Sequence, residues 1–399
     1  MFCMALTGSF RVLFLYDVAE AIDLAKLQQL LGPRGGAVGE KFSRRTPDYV
    51  RFERPPILEP SENIPLPTGE QVVCSVKYYA FAAVVVQLEV PFECGWDALK
   101  SKASRWVDPT DFEPQAREIL RRHLERVQPA VIKPRKDWLA EDYLIINVQN
   151  CDLDCGNPHS NPRPQTPQTQ ASNLSATAAV AKPEAPTADE LLRVKGHEIA
   201  QIIRGESAPL AARTADEMLQ ASASYYSSDL TVIGSSAAFV YDRPDDAAAT
   251  SQVLEYAKVQ LLEFRYYDGF MTQLLADVYA VLERRRNVLL SRWSLAGQAQ
   301  RFNTIRLDVM DLTERIDNAI KFVSDVYYAR VYRLAATRLG VDDYRNLVDE
   351  KLRTVGELYT FMTDQFNEAR SFVVDLGIAV LCLLDVILLL KGFGGALSK

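Results

Sequence analysis

The chain has little of what most enzymes and nucleic-acid binders display. It holds three histidines and six cysteines in 399 residues. Cys3, Cys74, Cys94, Cys151, Cys155 and Cys382 are irregularly spaced, so no disulfide framework is expected and free thiols in a reducing compartment are the default. There is no excess of positive charge. The net charge of −7 leaves no global field to draw in phosphates, although a local basic patch remains open. The N-terminus lacks a basic region before its apolar run, which meets Asp17 quickly, so no secretory signal is expected. No nucleophile elbow, zinc-protease helix or nucleotide fingerprint is present.

Candidate chemical motifs are correspondingly weak. Cys151, Cys155 and His159 form a C-x3-C-x3-H run. Its spacing is not that of a standard zinc knuckle, and a fourth ligand is missing. His123 lies among arginines and His197 among charged residues, neither with a nucleophile partner legible in the sequence. GPRGGAVGEK at 32–41 lacks the G-K-[ST] ending and follows a helix rather than a strand, against a phosphate loop. No catalytic residue, metal site or cofactor is expected, and no small-molecule substrate is identified. The same loop concentrates Arg34, Lys41, Arg44, Arg45, Arg51 and Arg54, a patch for an anionic lipid surface or RNA, or else a solvated loop.

What is present is a mosaic of short strands and long helices. FRVLFLY at 10–16 reads as a buried strand. Asp17 and Glu20 then resemble a capping box opening the helix AEAIDLAKLQQLLG, which stops at Gly32 and Pro33. Residues 71–90, rich in valine and aromatics, read as a hairpin turning near Tyr78–Ala80. A helical stretch runs from Trp96 to Val127, and DYLIINVQ at 142–149 is another strand. The order suggests an α+β class with a small ferredoxin-like or split α/β domain over 1–150. A Pro, Ser, Thr and Gln-rich linker covers 151–188, too poor in large apolar residues to bury a core. Helices and a second hairpin, DLTVIGSSAAFVY, occupy 189–244 and extend the first domain across the linker.

Residues 245–370 read as long coiled-coil helices. Leu254, Ala257, Leu261, Phe264, Met271, Leu275, Val278 and Leu282 alternate spacings of three and four, with Asp268 interrupting the seam and setting register beside Tyr266 and Tyr267. A second seam runs from Leu352 to Leu390. It passes into SFVVDLGIAVLCLLDVILLL at 371–390. Its apolar residues sum to roughly −4 to −8 kcal/mol on an insertion scale, against about +2.5 to +3.5 for a central Asp. The stretch reads as a transmembrane helix over 371–391 carrying Asp375 and Asp385, followed by a short tail at 392–399. The alternative is a buried helix of a bundle, with both aspartates on its outer side.

VKYYAFAAVVVQLEVPF, SYYSSDLTVIGSSAAFVYDRP, VQLLEFRYYD and the C-terminal apolar helix together resemble the required-for-meiotic-nuclear-division family. The resemblance implies a membrane-anchored, oligomeric protein without known catalysis and, in mitochondrial members, support of translation at the inner membrane. The layout also resembles the CorA type of magnesium channel, but the Gly-Met-Asn signature and a second span are missing. The expectation is a non-enzymatic, tail-anchored scaffold, single-pass with its bulk on the cytoplasmic side. It would be homo-oligomeric through its long helices and recruit a partner. The alternative is an ion-transport or channel subunit with Asp385 on a polar path.

Overall fold

A computed structural model describes residues 6–32, 35–37, 55–65, 71–151, 186–283, 307 and 326–396. The chain divides into two compact units. One comprises Met1–Tyr266 and Ile316–Asp343, the other Tyr267–Arg315 and Tyr344–Lys399.

The first unit is α+β, built on one mixed sheet. Its long strands are β1 (Leu6–Ile22), β5 (Gln71–Tyr78), β6 (Ala83–Cys94) and β7 (Val131–Asn150). Shorter strands are β2 (Gly36–Ala37), β3 (Ile57–Pro60), β4 (Ile64–Pro65), β8 (Ser222–Ala223), β9 (Leu230–Ile233) and β10 (Ala237–Tyr241). The order is β2-β3-β5-β6-β1-β7-β10-β9-β8, with β4 paired to β5 off this path. Neighbours are antiparallel except β10, which lies parallel to β7. The sheet therefore outgrows the small domain expected within 1–150, because the hairpin β9–β10 from beyond the linker joins it through β7.

Strand β1 is longer than the sequence reading placed it. It runs through Asp17 and Glu20, and the helix α1 (Leu24–Leu31) starts only at the cap Asp23, whose side chain accepts from the Lys26 N–H. The expected capping box at Asp17 is thus corrected: Asp17 is a buried strand residue whose carboxylate meets Arg135. A register shift at Thr7/Gly8 marks a bulge against β7. Only glycine fits at residue 8, since a Cβ there would lie 1.9 Å from the Asn147 carbonyl oxygen.

The strand period of two divides side chains between the faces. Phe10, Val12, Phe14 and Tyr16 of β1, with Leu144, Ile146 and Val148 of β7, face an apolar core. Helices α2 (Trp96–Val107), α3 (Glu113–Val127), α4 (Ala188–Arg204) and α5 (Ala212–Leu219) supply its other half. The stretch from Trp96 to Val127 is two helices because Asp108-Pro109 interrupts it. Helix α4 opens on a capping box of Thr187 and Glu190, and it closes on Gly205 in the left-handed region at φ 75°.

The opposite face is covered by the first part of α6 (Pro244–Glu283), up to Tyr266. Against the edge strands β8 and β9 packs α7 (Val326–Leu339). Here the coiled-coil expectation is corrected. Leu254, Ala257, Leu261 and Phe264 are buried, but so are Gln252, Glu255, Lys258, Gln260 and Glu263 on the other sides of α6. A helix buried all round, as α6 is over 250–264, is a core element there and not one strand of a coiled coil. The homo-oligomer expected from that seam loses its basis with it.

In the second unit the long helix is α8 (Val341–Ala396). Among the described residues, no helix is long and apolar enough to cross a membrane. The transmembrane helix, the tail anchor and the single-pass membrane localisation with a cytoplasmic bulk are corrected accordingly. Asp375 and Asp385 are exposed residues of α8, and their reading as intramembrane groups falls with the span.

Candidate functional site

Helix α7 has two unlike faces. Tyr327, Tyr328, Val331, Tyr332, Ala335 and Ala336 are buried. Tyr332 donates to the Gln260 side chain, and Tyr327 donates to Asp229 at 3.4 Å, which ties the helix to α6 and to the start of β9. With that face committed, helical periodicity turns Arg330, Arg333, Thr337 and Arg338 outward. Helix α5 runs beside it, burying Ala215 and Met218 and presenting Glu217, with Gln220 just past its end.

Between them lies a cavity of about 520 Å³ lined by Arg330, Arg333, Thr337, Arg338, Glu217 and Gln220. Among the described residues none of the three arginines forms an ion pair, and Arg333 donates only to the Ala329 carbonyl at 3.3 Å. The one acid on the wall, Glu217, is already met by Arg213 at 3.0 Å. The groove is therefore a concentrated positive site on a chain of negative net charge. Guanidinium groups present planar, permanently charged forks that match the oxygens of phosphates and carboxylates. The volume lies within the range of small-ligand sites.

The layer between the sheet and α6 carries charge of a different kind. Lys77 meets Glu255 at 2.7 Å, and the Tyr79 hydroxyl donates to the same carboxylate at 2.7 Å. Lys258 meets Glu141 at 2.9 Å, and Arg265 also reaches Glu141. Arg135 contacts Asp17 at 2.9 Å and donates to the Tyr266 hydroxyl at 2.6 Å. Burial pushes Asp17 up to about 6 despite Arg135, and it pulls Lys258 down to about 8 despite nearby Asp142. Glu263 is driven well above the usual carboxylate range by burial and by the charge of Asp17. Apart from Glu263, whose Oε1 has no hydrogen-bond partner among the described residues, and the part-exposed Arg265, these groups are buried and paired, so they shape the packing of α6 rather than present a binding surface.

A family model described as "Uncharacterized protein MJ0711, N-terminal domain" matches residues 7–171 and 175–247. The chain belongs to this family. The matched residues span the sheet from β1 to β10 and end as α6 begins, so the family's domain is the sheet with its α2–α5 layer. A protein of Methanocaldococcus jannaschii, the uncharacterized protein MJ0711, is 19% identical over 202 residues, covering 51% of this chain and 62% of that protein. The chain thus spans less than two thirds of that relative's length. No solved structure matches.

The sites expected from sequence fall elsewhere. Arg34, Lys41, Arg44, Arg45, Arg51 and Arg54 all lie outside the described residues, as do Cys155 and His159. Cys151 stands half-buried just after β7. Asp268 does not set a coiled-coil register; its carboxylate holds Lys351, which also donates to Thr272, within the second unit. Arg330, Arg333 and Arg338 escaped the sequence reading because it assigned this segment to a coiled coil. The signal was the run ARVYRLAATRL, whose apolar and arginine positions separate on a helical wheel.

Proposed function

We propose that the first unit is a binding module that recruits a phosphate-bearing partner through the α5–α7 groove. The observation that carries this reading is the set of three arginines around one cavity, without ion pairs among the described residues. No reaction is needed for it: an anion that exchanges water for two or three guanidinium forks gains charge-assisted hydrogen bonds. This keeps the recruiting scaffold expected from sequence and moves its anion site from the 34–54 loop to the groove. It dispenses with the membrane anchor, and the channel alternative, which rested on a span, has no support left.

The test is calorimetric titration of the full chain with inorganic tripolyphosphate, followed over increasing salt. Binding is expected, weakening as salt rises and falling at least about tenfold in Arg330→Glu/Arg333→Glu, since each charge-assisted bond contributes about 1.5–3 kcal/mol. Both residues are exposed, so the melting temperature should stay put. Equal affinity in the double variant would remove the groove from the account.

A further inference from the structure

On the opposite edge of the sheet, beyond the groove reading and independent of it, a second constellation forms from β3, β5 and α3. Strand β3 pairs with β5, and the residue after its terminal Pro60 is Ser61, whose N–H is held by the Cys74 carbonyl at 2.9 Å. Helix α3 brings His123 and Arg126, three residues apart on one face. The Ser61 Oγ lies 3.1 Å from His123 Nε2, and His123 Nδ1 lies 2.9 Å from the Glu59 carboxylate. Tyr78 donates to Glu59 at 2.9 Å, and Arg126 donates to its other oxygen. Glu59 is 2% exposed and His123 8%, while Ser61 is half-buried.

We infer that Ser61, His123 and Glu59 form an activated-serine site for acyl transfer from a carboxylic ester. Each group stands in the order the chemistry requires: nucleophile, base, and a buried carboxylate orienting the base. The tautomer follows from the acceptors. Arg126 Nη2 also lies 2.9 Å from His123 Nδ1, but a guanidinium cannot accept a hydrogen bond, and the carboxylate is the strongest acceptor in reach. Nδ1 therefore carries the proton toward Glu59, leaving the Nε2 lone pair facing the serine hydroxyl. Hydrogen bonds from His123 and Tyr78, with the Arg126 charge, outweigh burial and hold Glu59 below its ordinary range, so it stays an anion.

The step balances without a cofactor. Ser61 Oγ attacks the ester carbonyl carbon while Nε2 takes the hydroxyl proton. The proton passes to the departing alkoxide, which leaves as an alcohol, and Ser61 is acylated. Water, deprotonated by the same nitrogen, then releases the carboxylic acid and restores the hydroxyl. Sequence alone did not expose the set, because Ser61 and His123 are brought together only by the packing of α3 on β5 and β3.

The experiment is treatment of the full chain with a fluorophosphonate, which modifies activated serines, with the adduct located by mass spectrometry. The expected result is an adduct on Ser61 formed at least about 100-fold faster in the native chain than in the heat-unfolded chain. It should be absent in Ser61→Ala and slowed about 100-fold in His123→Gln. The native-against-unfolded comparison uses the unaltered chain, so it stands even if His123→Gln fails to fold. No adduct on Ser61, or one formed equally fast in the unfolded chain, would overturn the proposal and leave the cluster as a tie between β3 and α3.

Discussion

The two faces of the sheet differ in what they add to apolar packing. Toward α2–α5 the strands present Phe10, Val12, Phe14, Val84, Val86 and Leu144, and the helices answer with Trp96, Leu99, Leu120 and Ile199. Toward α6 they present Arg11, Asp17, Lys77, Glu141 and Asn147, and the helix answers with Ser251, Glu255, Lys258 and Glu263. The first face gains from removing apolar surface from water and tolerates many partners. The ion pairs of the second contribute little net energy, since desolvating each charge offsets most of the attraction, but they accept one register of helix on sheet. Apolar burial holds both faces, since Leu13, Leu15, Val85 and Ile145 are buried opposite Leu254, Leu262 and Phe264 of α6; the ion pairs add specificity of docking to the second face.

The largest expected effect comes from breaking the charged face one partner at a time. Glu255→Ala strands the Lys77 ammonium and the Tyr79 hydroxyl in the interior and should cost about 3–5 kcal/mol in chemical denaturation. Lys77→Met/Glu255→Leu removes both charges and should recover most of that loss, leaving only the Tyr79 hydroxyl without this acceptor. A double variant as unstable as the single would show that the pair contributes net energy and would undo the contrast drawn between the faces.

A smaller loss is expected at the junction of α4 with α2. Gly205 sits at φ 75°, and a Cβ there would come 2.8 Å from the Val107 side chain. Gly205→Ala should cost about 1–3 kcal/mol through backbone strain and this contact. No change in the denaturation midpoint would mean that α4 can end differently without disturbing the apolar face.

The smallest effect is a pH dependence. Burial, then Asp229 and Asp246, push Asp242 up to about 7 from the 3.8 of a free carboxylate, against the Arg243 N–H that it accepts. The folded chain holds this proton where the unfolded chain has lost it. The stabilisation is complete below about pH 4 and is lost as pH rises toward 7. Asp17, raised to about 6, acts in the same direction. Melting should therefore fall between pH 5 and pH 8 by roughly 2–4 °C more in the unaltered chain than in Asp242→Asn. Parallel pH profiles for the two chains would show that Asp242 titrates normally.

Local elements were legible because local physics governs them. FRVLFLY lies within β1, and QVVCSVKYYAFAAVVVQLEV folds into β5 and β6 with the turn between Tyr78 and Ala83. DLTVIGSSAAFVY folds into β9 and β10. Longer-range readings failed where one pattern admits two environments. The spacing of Leu254, Ala257, Leu261 and Phe264 is the same for a coiled-coil seam and for a helix buried on a sheet, and only the burial of Glu255, Lys258 and Glu263 separates them. Asp17 resembled a cap because Asp suits caps; its partner Arg135 lies 118 residues on and was invisible to a local reading. Ser61 and His123 are likewise distant in sequence, and neither sits in a recognised motif.

By itself, then, the sequence determined the strands, the turns, the linker composition and the absence of familiar catalytic and nucleotide-binding motifs. These follow from side-chain period, β-propensity and turn chemistry within a dozen residues. Tertiary structure alone decided that α6 is a core helix, that three arginines of α7 share a cavity with α5, and that Ser61 meets His123. The physical reason is common to all three: charge pairing, burial and hydrogen-bond geometry act between residues far apart in the chain, and their outcome depends on which surfaces the fold brings into contact.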